Sequence, residues 1–383
     1  MYVTRPLSLY RNSPSSLSSA PPEGPNSGIL VIQDEEPAET RWCCGLFKTK
    51  ESVKELPFPQ NKILRLTHAA EAGEIEYSES VRAVLIPVLN LPLSSNQYYI
   101  INSHGTRKGL ACTSSKEEET SGRCCYSVPD PPPQLFDPKN AYQQFQISDY
   151  IYCGGPNGYI TKSMAPDGVP PKRLSRKGLR AYTQPLKNFE PTEALGLNPS
   201  LRGRLPEIKS SDPVVVGKWY CPFIFIREGD VSSQMSNSPY YEMTLRRNWF
   251  EIFGCESSGE GNNGVDVDVY VEREVASVAG GAAARRRYGG DGFVWFEAAG
   301  VGLSTAIVER VKWEEGREGF GWVEEGEEKK IRVRRREELK GVGIWRRFGC
   351  YVLIERFVLK RMDGSVVLTW EFRHTHQLTT KWE

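Results

Sequence analysis

Apolar and polar positions alternate most clearly at the C-terminus, in FGCYVLIERFVLKRMDGSVVLTWEFRHTHQLTTKWE, residues 348–383. Side chains of a strand point alternately to its two faces, so Cys350–Met362 and Ser365–Gln377 read as two strands around Asp363-Gly364. Asp-Gly between such runs predicts a two-residue type I′ hairpin. That turn sets a register in which Phe357 faces Trp370, Glu355 faces Phe372, Leu353 faces His374 and Tyr351 faces His376. One face then gathers Tyr351, Leu353, Phe357, Leu359, Leu368, Trp370, Phe372 and both histidines. The other carries Val352, Ile354, Val358 and a facing Arg356–Glu371 pair. A hairpin with one apolar face needs a cover, so it belongs to a larger sheet or sandwich.

Similar patterning predicts strands at Gly28–Gln33, Ile63–His68, Val84–Leu89, Tyr98–Ile101, Val265–Val271 and Phe293–Phe296. VDVDVYV carries one wet acidic face. KKIRVRRR, Lys329–Arg336, alternates around Ile331 and Val333 as a strand with one solvated basic face. Val214–Ile226 reads as two short strands or one bulged strand. Helical spacing predicts a helix over Ser238–Gly254, with Ser238 at the N-cap, Pro239 at the first helical position and the stripe Tyr241, Leu245, Trp249, Ile252, Phe253. A second helix is expected over Ser304–Glu315, with Leu303, Ile307 and Val311 inward, and a short one over Lys139–Phe145 after Asp137-Pro138. The fold class that follows is α+β and β-dominated: antiparallel sheets, with the C-terminal β-hairpin 350–377 packed on one or two helices. The domain division expected is an extended arm over 1–27, a small β-rich domain over 28–150 and an α+β domain over 151–383. An Ala/Gly/Arg-rich stretch, 279–292, is expected to be a mobile loop.

Composition narrows the function classes. The chain has 383 residues and a net charge of +1, so no global charge points to nucleic acid or a membrane surface. Nine cysteines, an odd number without a C-x-x-C pair, argue against a zinc ribbon or a thioredoxin-type centre. With no secretory apolar core at the start and no glycosylation sequon, they favour an intracellular setting, cytoplasmic or nuclear. No apolar run is long enough for a transmembrane segment.

Candidate chemistry is sparse. His374-x-His376 projects two imidazoles from one strand face, with Glu355 diagonal to His374, and two imidazoles plus a carboxylate are a zinc or non-haem iron set. Gly302-x-Ser304-x-Ala306 approximates a nucleophile elbow, strand before and helix after, with Asp363 and His374 following in hydrolase order. Ala306 stands where that motif has glycine, and Asp363 is needed by the turn. Lys172, Arg173, Arg176 and Lys177 follow a double proline in a loop that would hold a phosphate. The vicinal pair Cys43 and Cys44, beside Trp42 and Phe47, is a lipidation candidate. No cofactor is implied.

The segments MYVTRPLS, LPFPQNK, VLNLPLSSNQYY, TSSKEEE, APDGVPP, VVVGKWYCPFIFI, YYEMTL, VERVKWEE and the C-terminal FGCYVLIERF…TTKWE resemble a plant-specific family catalogued as domain of unknown function 1262. The resemblance runs over essentially the whole chain. It implies a plant source and brings no established activity, cofactor or catalytic residue. The leading expectation is a non-catalytic intracellular binding or scaffold protein, whose partner is a protein rather than nucleic acid. A metal-dependent or hydrolase-like enzyme and a peripheral membrane or lipid-binding protein are the alternatives.

Overall fold

The computed structural model describes residues 1–35, 41–42, 47–48, 52–68, 80–117, 130–151, 158–208, 212–257, 263–281, 283–297, 300–322, 330–340 and 344–383. Strands dominate, in several antiparallel sheets with few helices. The chain divides into two compact units. The first is Met1–Ala194 with Tyr220–Tyr241 and Ser304–Ile307; the second is Leu195–Trp219, Glu242–Leu303 and Val308–Glu383.

The first unit is built on a seven-stranded sheet in the order Gly158–Ser163, Gln144–Tyr150, Gln97–Asn102, Val81–Pro87, Lys62–Thr67, Arg180–Pro185, Ser52–Val53. Residues two apart bury together, as alternation requires: Leu64 with Leu66, Ala83 with Leu85, Tyr98 with Ile100, Phe145 with Ile147. Residues 1–27 are not an extended arm throughout. Tyr2–Pro6 is a strand paired in parallel with Gly28–Ile32, and Tyr2 is fully buried, its hydroxyl donating to the Pro87 carbonyl at 2.8 Å. Gly28 is where the chain needs glycine: an added Cβ would stand 2.4 Å from the Tyr2 ring. Lys139–Phe145 forms only a 3-10 turn, Ala141–Gln143, before the strand Gln144–Tyr150 takes over.

In the second unit the sheet order is Glu274–Val278, Val366–Trp382, Arg347–Arg361, Tyr240–Glu256, Val214–Pro222, the last two through their residues 242–256 and 214–219. Tyr240–Glu256 corrects the helix expected over Ser238–Gly254. A spacing of four suits a helix face and, equally, one face of a strand. Tyr241, Leu245 and Trp249 therefore do not discriminate, whereas buried Met243 and Arg247, at the intervening even spacings, fit only the strand. Ser238 starts no helix: it is the C-cap of the short helix Val231–Asn237, and its hydroxyl donates to the Tyr240 carbonyl at 2.6 Å. The helix Thr305–Arg317 forms as expected, with Ile307 and Val311 fully buried; Leu303, equally buried, belongs to the preceding strand Val301–Ser304.

The C-terminal hairpin keeps its predicted pairs from Leu353–His374 to Leu359–Leu368, including Arg356–Glu371 and Phe357–Trp370. Its turn differs. Gly364 alone takes left-handed backbone, φ +86°, and its N–H donates to the Arg361 carbonyl, while Arg361 N–H donates to Ser365 O, both at 2.9 Å. This is a three-residue loop closed by a left-handed glycine rather than a type I′ turn. Asp363 stays out of the left-handed region because its carboxylate accepts from the Ser365 N–H at 2.8 Å. A register shift between Leu359 and Lys360 absorbs the extra residue. A larger irregularity falls at the other end: Leu353 pairs with His374 but Val352 pairs with Leu378. Thr375, His376 and Gln377 lie between, so Tyr351 faces Thr379 and not His376. Both hairpin faces are buried, with Val352 and Ile354 as inaccessible as Leu353.

The acidic and basic strands find each other. Gly264–Glu272 pairs with Lys330–Glu338, placing Asp266 opposite Arg336 and Asp268 opposite Arg334. Arg332 donates to Asp268 at 2.6 Å, so the basic face is matched within its own ribbon. The stretch 279–292 contains the strand Arg286–Tyr288, paired with Phe293–Phe296, and is a hairpin arm rather than a plain loop.

Candidate functional site

The second unit buries a charged cluster at the centre of its sheet. Glu355 sits on Arg347–Arg361 and His374 diagonally across on Val366–Trp382, as the hairpin register dictates. Glu314 and Glu315 come from the last turns of the helix Thr305–Arg317, and Glu318 follows it. Arg247 comes from Tyr240–Glu256. Arg202 ends the short helix Pro199–Arg202, whose start is fixed by Asn198 accepting from the Leu201 N–H at 3.0 Å. Arg202, Arg247, Arg310, Glu314, Glu315, Glu355 and His374 are all buried.

Arg202 is the hub. Its Nε donates to Glu355 Oε1 at 3.0 Å and its Nη2 donates to Glu355 Oε2, a bidentate pairing. Its Nη1 donates to Glu314 Oε2 at 3.4 Å, and Glu315 Oε1 lies 3.7 Å from Nη2. Arg247 Nε stands 3.0 Å from Glu355 Oε1, out of line for a hydrogen bond. Arg310 donates to Glu314 at 2.7 Å, one turn along the helix. His374 Nε2 lies 3.2 Å from Glu315 Oε2 and 3.8 Å from Glu355 Oε2. Neither contact is aligned as a hydrogen bond; both His374 nitrogens lack a partner among the described residues, and the Glu315 carboxyl shares a hydrogen bond with Glu355.

Burial first, and then the charge of Glu355, push the Glu315 carboxyl well above the usual carboxylate range, toward its neutral form. Burial would raise Glu355 as well, but the Arg202 hydrogen bonds and charge outweigh it and hold Glu355 ionised. Burial lowers the His374 imidazole to about 4, so the ring is neutral at ordinary pH. With both neutral, the three guanidinium groups are matched by the formal charges of Glu314, Glu318 and Glu355. A buried set of ions requires such balance, since an unpaired interior charge is costly. Phe320 packs edge-on against both His374 and Phe372, closing an aromatic wall around the ring.

One ligand atom each from Glu315, Glu355 and His374 lie within 4.8 Å of one another. Of the metal set expected from sequence, Glu355 and His374 thus converge. His376 does not join them: the irregularity after His374 leaves its ring exposed, 5.4 Å centroid to centroid from His374. The residue that replaces it, Glu315, gave no sequence signal beyond being one of several glutamates near a helix end. Ser304 lies at the strand–helix junction as a nucleophile elbow would, but it is fully buried and its hydroxyl accepts from the Ala306 N–H at 3.3 Å, the work of a helix cap. Asp363 serves the hairpin turn.

Lys172, Arg173, Arg176 and Lys177 do not converge on one point. The Lys172 N–H donates to Asp130 at 2.7 Å, Arg173 Nε lies 3.9 Å from Asp130, and Lys177 lies over the Tyr150 ring at 5.7 Å. Cys43 and Cys44 lie outside the described residues. An open groove of about 870 Å³ marks the first unit, lined by Tyr10, Arg11, Leu17, Lys54, Glu55, Asp149, Ile151, Arg180 and Tyr182 among others. A cavity of about 350 Å³ sharing Tyr10, Arg11, Lys54 and Glu55 adjoins it. The sequence pattern gave no sign of this groove.

Residues 23–126 match the model of a family described as "Protein of unknown function (DUF1262)". The resemblance read from the sequence holds over that stretch, and the cluster of the second unit lies outside it. No curated protein matches. Among solved structures the chain is similar to one titled "Crystal structure of Cry35Ab1", at 12% identity and a TM-score of 0.47, over 85% of this chain and 90% of that one. A likeness of that depth carries no argument about activity. No helix among the described residues is long and apolar enough to cross a membrane.

Proposed function

We propose that the chain is a non-catalytic intracellular binding protein that holds a small organic anion in the groove of the first unit. The observation that carries this reading is the pair of cations on the groove wall. Among the described residues neither Lys54 nor Arg180 has an ion-pair partner, and Arg11 beside them pairs only with the exposed Glu35, at 3.3 Å. Unmatched cations beside tyrosine rings and apolar side chains form a wall suited to an anionic ligand with an aromatic or aliphatic body. Glu55 and Asp149 on the same wall favour hydroxyl or N–H groups elsewhere on that ligand. A hydrolase-like reading is less well supported, because Ser304 and His374 are closed to a substrate. The test is titration with 8-anilinonaphthalene-1-sulfonate, an aromatic anion. Saturable binding at one site, weakened about tenfold or more in Lys54→Ala/Arg180→Ala, supports the reading. Affinity unchanged by the double substitution counts against it.

A further inference from the structure

We propose that Glu315, Glu355 and His374 form a closed site for one divalent transition metal, with zinc as the reference ion. The first ground is geometry. Zinc bonds of about 2.0–2.1 Å in tetrahedral array put neighbouring ligand atoms about 3.3–3.4 Å apart. His374 Nε2 stands 3.2 Å from Glu315 Oε2 and 3.8 Å from Glu355 Oε2, values on either side of that edge. The second ground is independent of distance. His374 is 1% exposed, yet neither of its ring nitrogens has a hydrogen bond among the described residues, and Glu315 beside it, 0% exposed, has only the neighbouring Glu355 carboxyl as a hydrogen-bond partner. Buried polar atoms are rarely left so, and a metal between them uses an oxygen and Nε2 directly.

The three ligands come from three elements, the helix Thr305–Arg317 and the two hairpin strands, so each is held by backbone of its own. Phe320, edge-on at 5.7 Å between centroids, restricts the His374 ring. The opposing charge is that of Arg202 and Arg247. Glu318, 3.5 Å from Arg202, and Glu355 itself face those arginines. Arg202 keeps its bidentate hold on Glu355 as an outer support, the role a hydrogen-bonded partner plays for a ligating carboxylate. Because the site is sealed, the ion enters during folding, and a mature metal-free chain exchanges slowly.

The experiment is elemental analysis of full-length protein, as purified from zinc-supplemented culture and after refolding in zinc. Wild type and His376→Ala are expected to carry about one zinc per chain. His374→Ala and Glu315→Gln are expected to lose it while keeping their circular dichroism spectra. Should either of these two prove unfolded, unfolding midpoints of wild type with and without zinc decide the matter, zinc being expected to raise the midpoint. The inference is overturned if refolded wild type holds no zinc. It is equally overturned if folded His374→Ala and Glu315→Gln retain it, since the ion would then be on other groups such as the cysteines.

Discussion

Arg202 and Glu355, 153 residues apart, form a bidentate ion pair that neither makes with any sequence neighbour. The pair ties the Pro199–Arg202 helix to the middle of the C-terminal hairpin, and it anchors every other charge around it. Removing the cation leaves Glu355 buried with only the misaligned Arg247. Breaking a buried pair from one side costs roughly 3–5 kcal/mol. Arg202→Met is therefore expected to lower stability by about that amount in urea unfolding. Substituting Arg332, whose pairing with Asp268 is at the surface, should move the midpoint far less. Equal effects would mean that the cluster is wet.

Tyr2 gives a second prediction. An N-terminal arm tolerates truncation of its side chains, but Tyr2 is fully buried beside Gly28. Tyr2→Ala is expected to cost about 3–5 kcal/mol, in the range of large core deletions. A neutral outcome would return the first residues to the status of an arm.

Gly364 tests the hairpin turn. Nothing lies within 4 Å of an added Cβ there, so the penalty of Gly364→Ala comes from its φ of +86° alone. About 1–2 kcal/mol is expected for an alanine forced into left-handed backbone. The same substitution at Gly316 meets neither a neighbour nor a positive φ, and is expected to be neutral or slightly stabilising through helix propensity.

Thiol chemistry supplies a fourth. Burial raises the Cys112 and Cys221 thiols to about 11, in Cys112 against an opposing hydrogen bond from Asn102. The thiolate is the reactive form, so both are expected to escape iodoacetamide at pH 8 in the folded protein and to react after unfolding. Peptide mapping by mass spectrometry reads each position separately. Rapid labelling of either in the native state would contradict the burial.

Much of the second unit is legible in the sequence. Alternation gives the hairpin strands and the pairs Phe357–Trp370 and Arg356–Glu371, and the helix shows its buried Ile307 and Val311. The failures have a common form. Tyr241, Leu245 and Trp249 are spaced by a number that both helix and strand satisfy, and of the partners that settle the choice, Val214–Pro222 and Arg347–Arg361, the second is far along the chain. Asp363-Gly364 permits more than one turn, and the Ser365 hydrogen bonds to Asp363 select among them.

The sequence by itself determined what depends on neighbouring residues: strand alternation, the hairpin and its central register, and the convergence of Glu355 with His374. Those follow from backbone geometry, which repeats every two residues regardless of what lies elsewhere. Only the tertiary structure decided that Glu315 and not His376 lies beside Glu355 and His374, that Arg202 and Arg247 stand against Glu355, and that Lys54 and Arg180 share one groove wall. Charge balance in a low-dielectric interior is a property of the whole set of groups brought together. No local pattern encodes it, because the arginine matched to Glu355 is chosen by which distant elements fold against the hairpin.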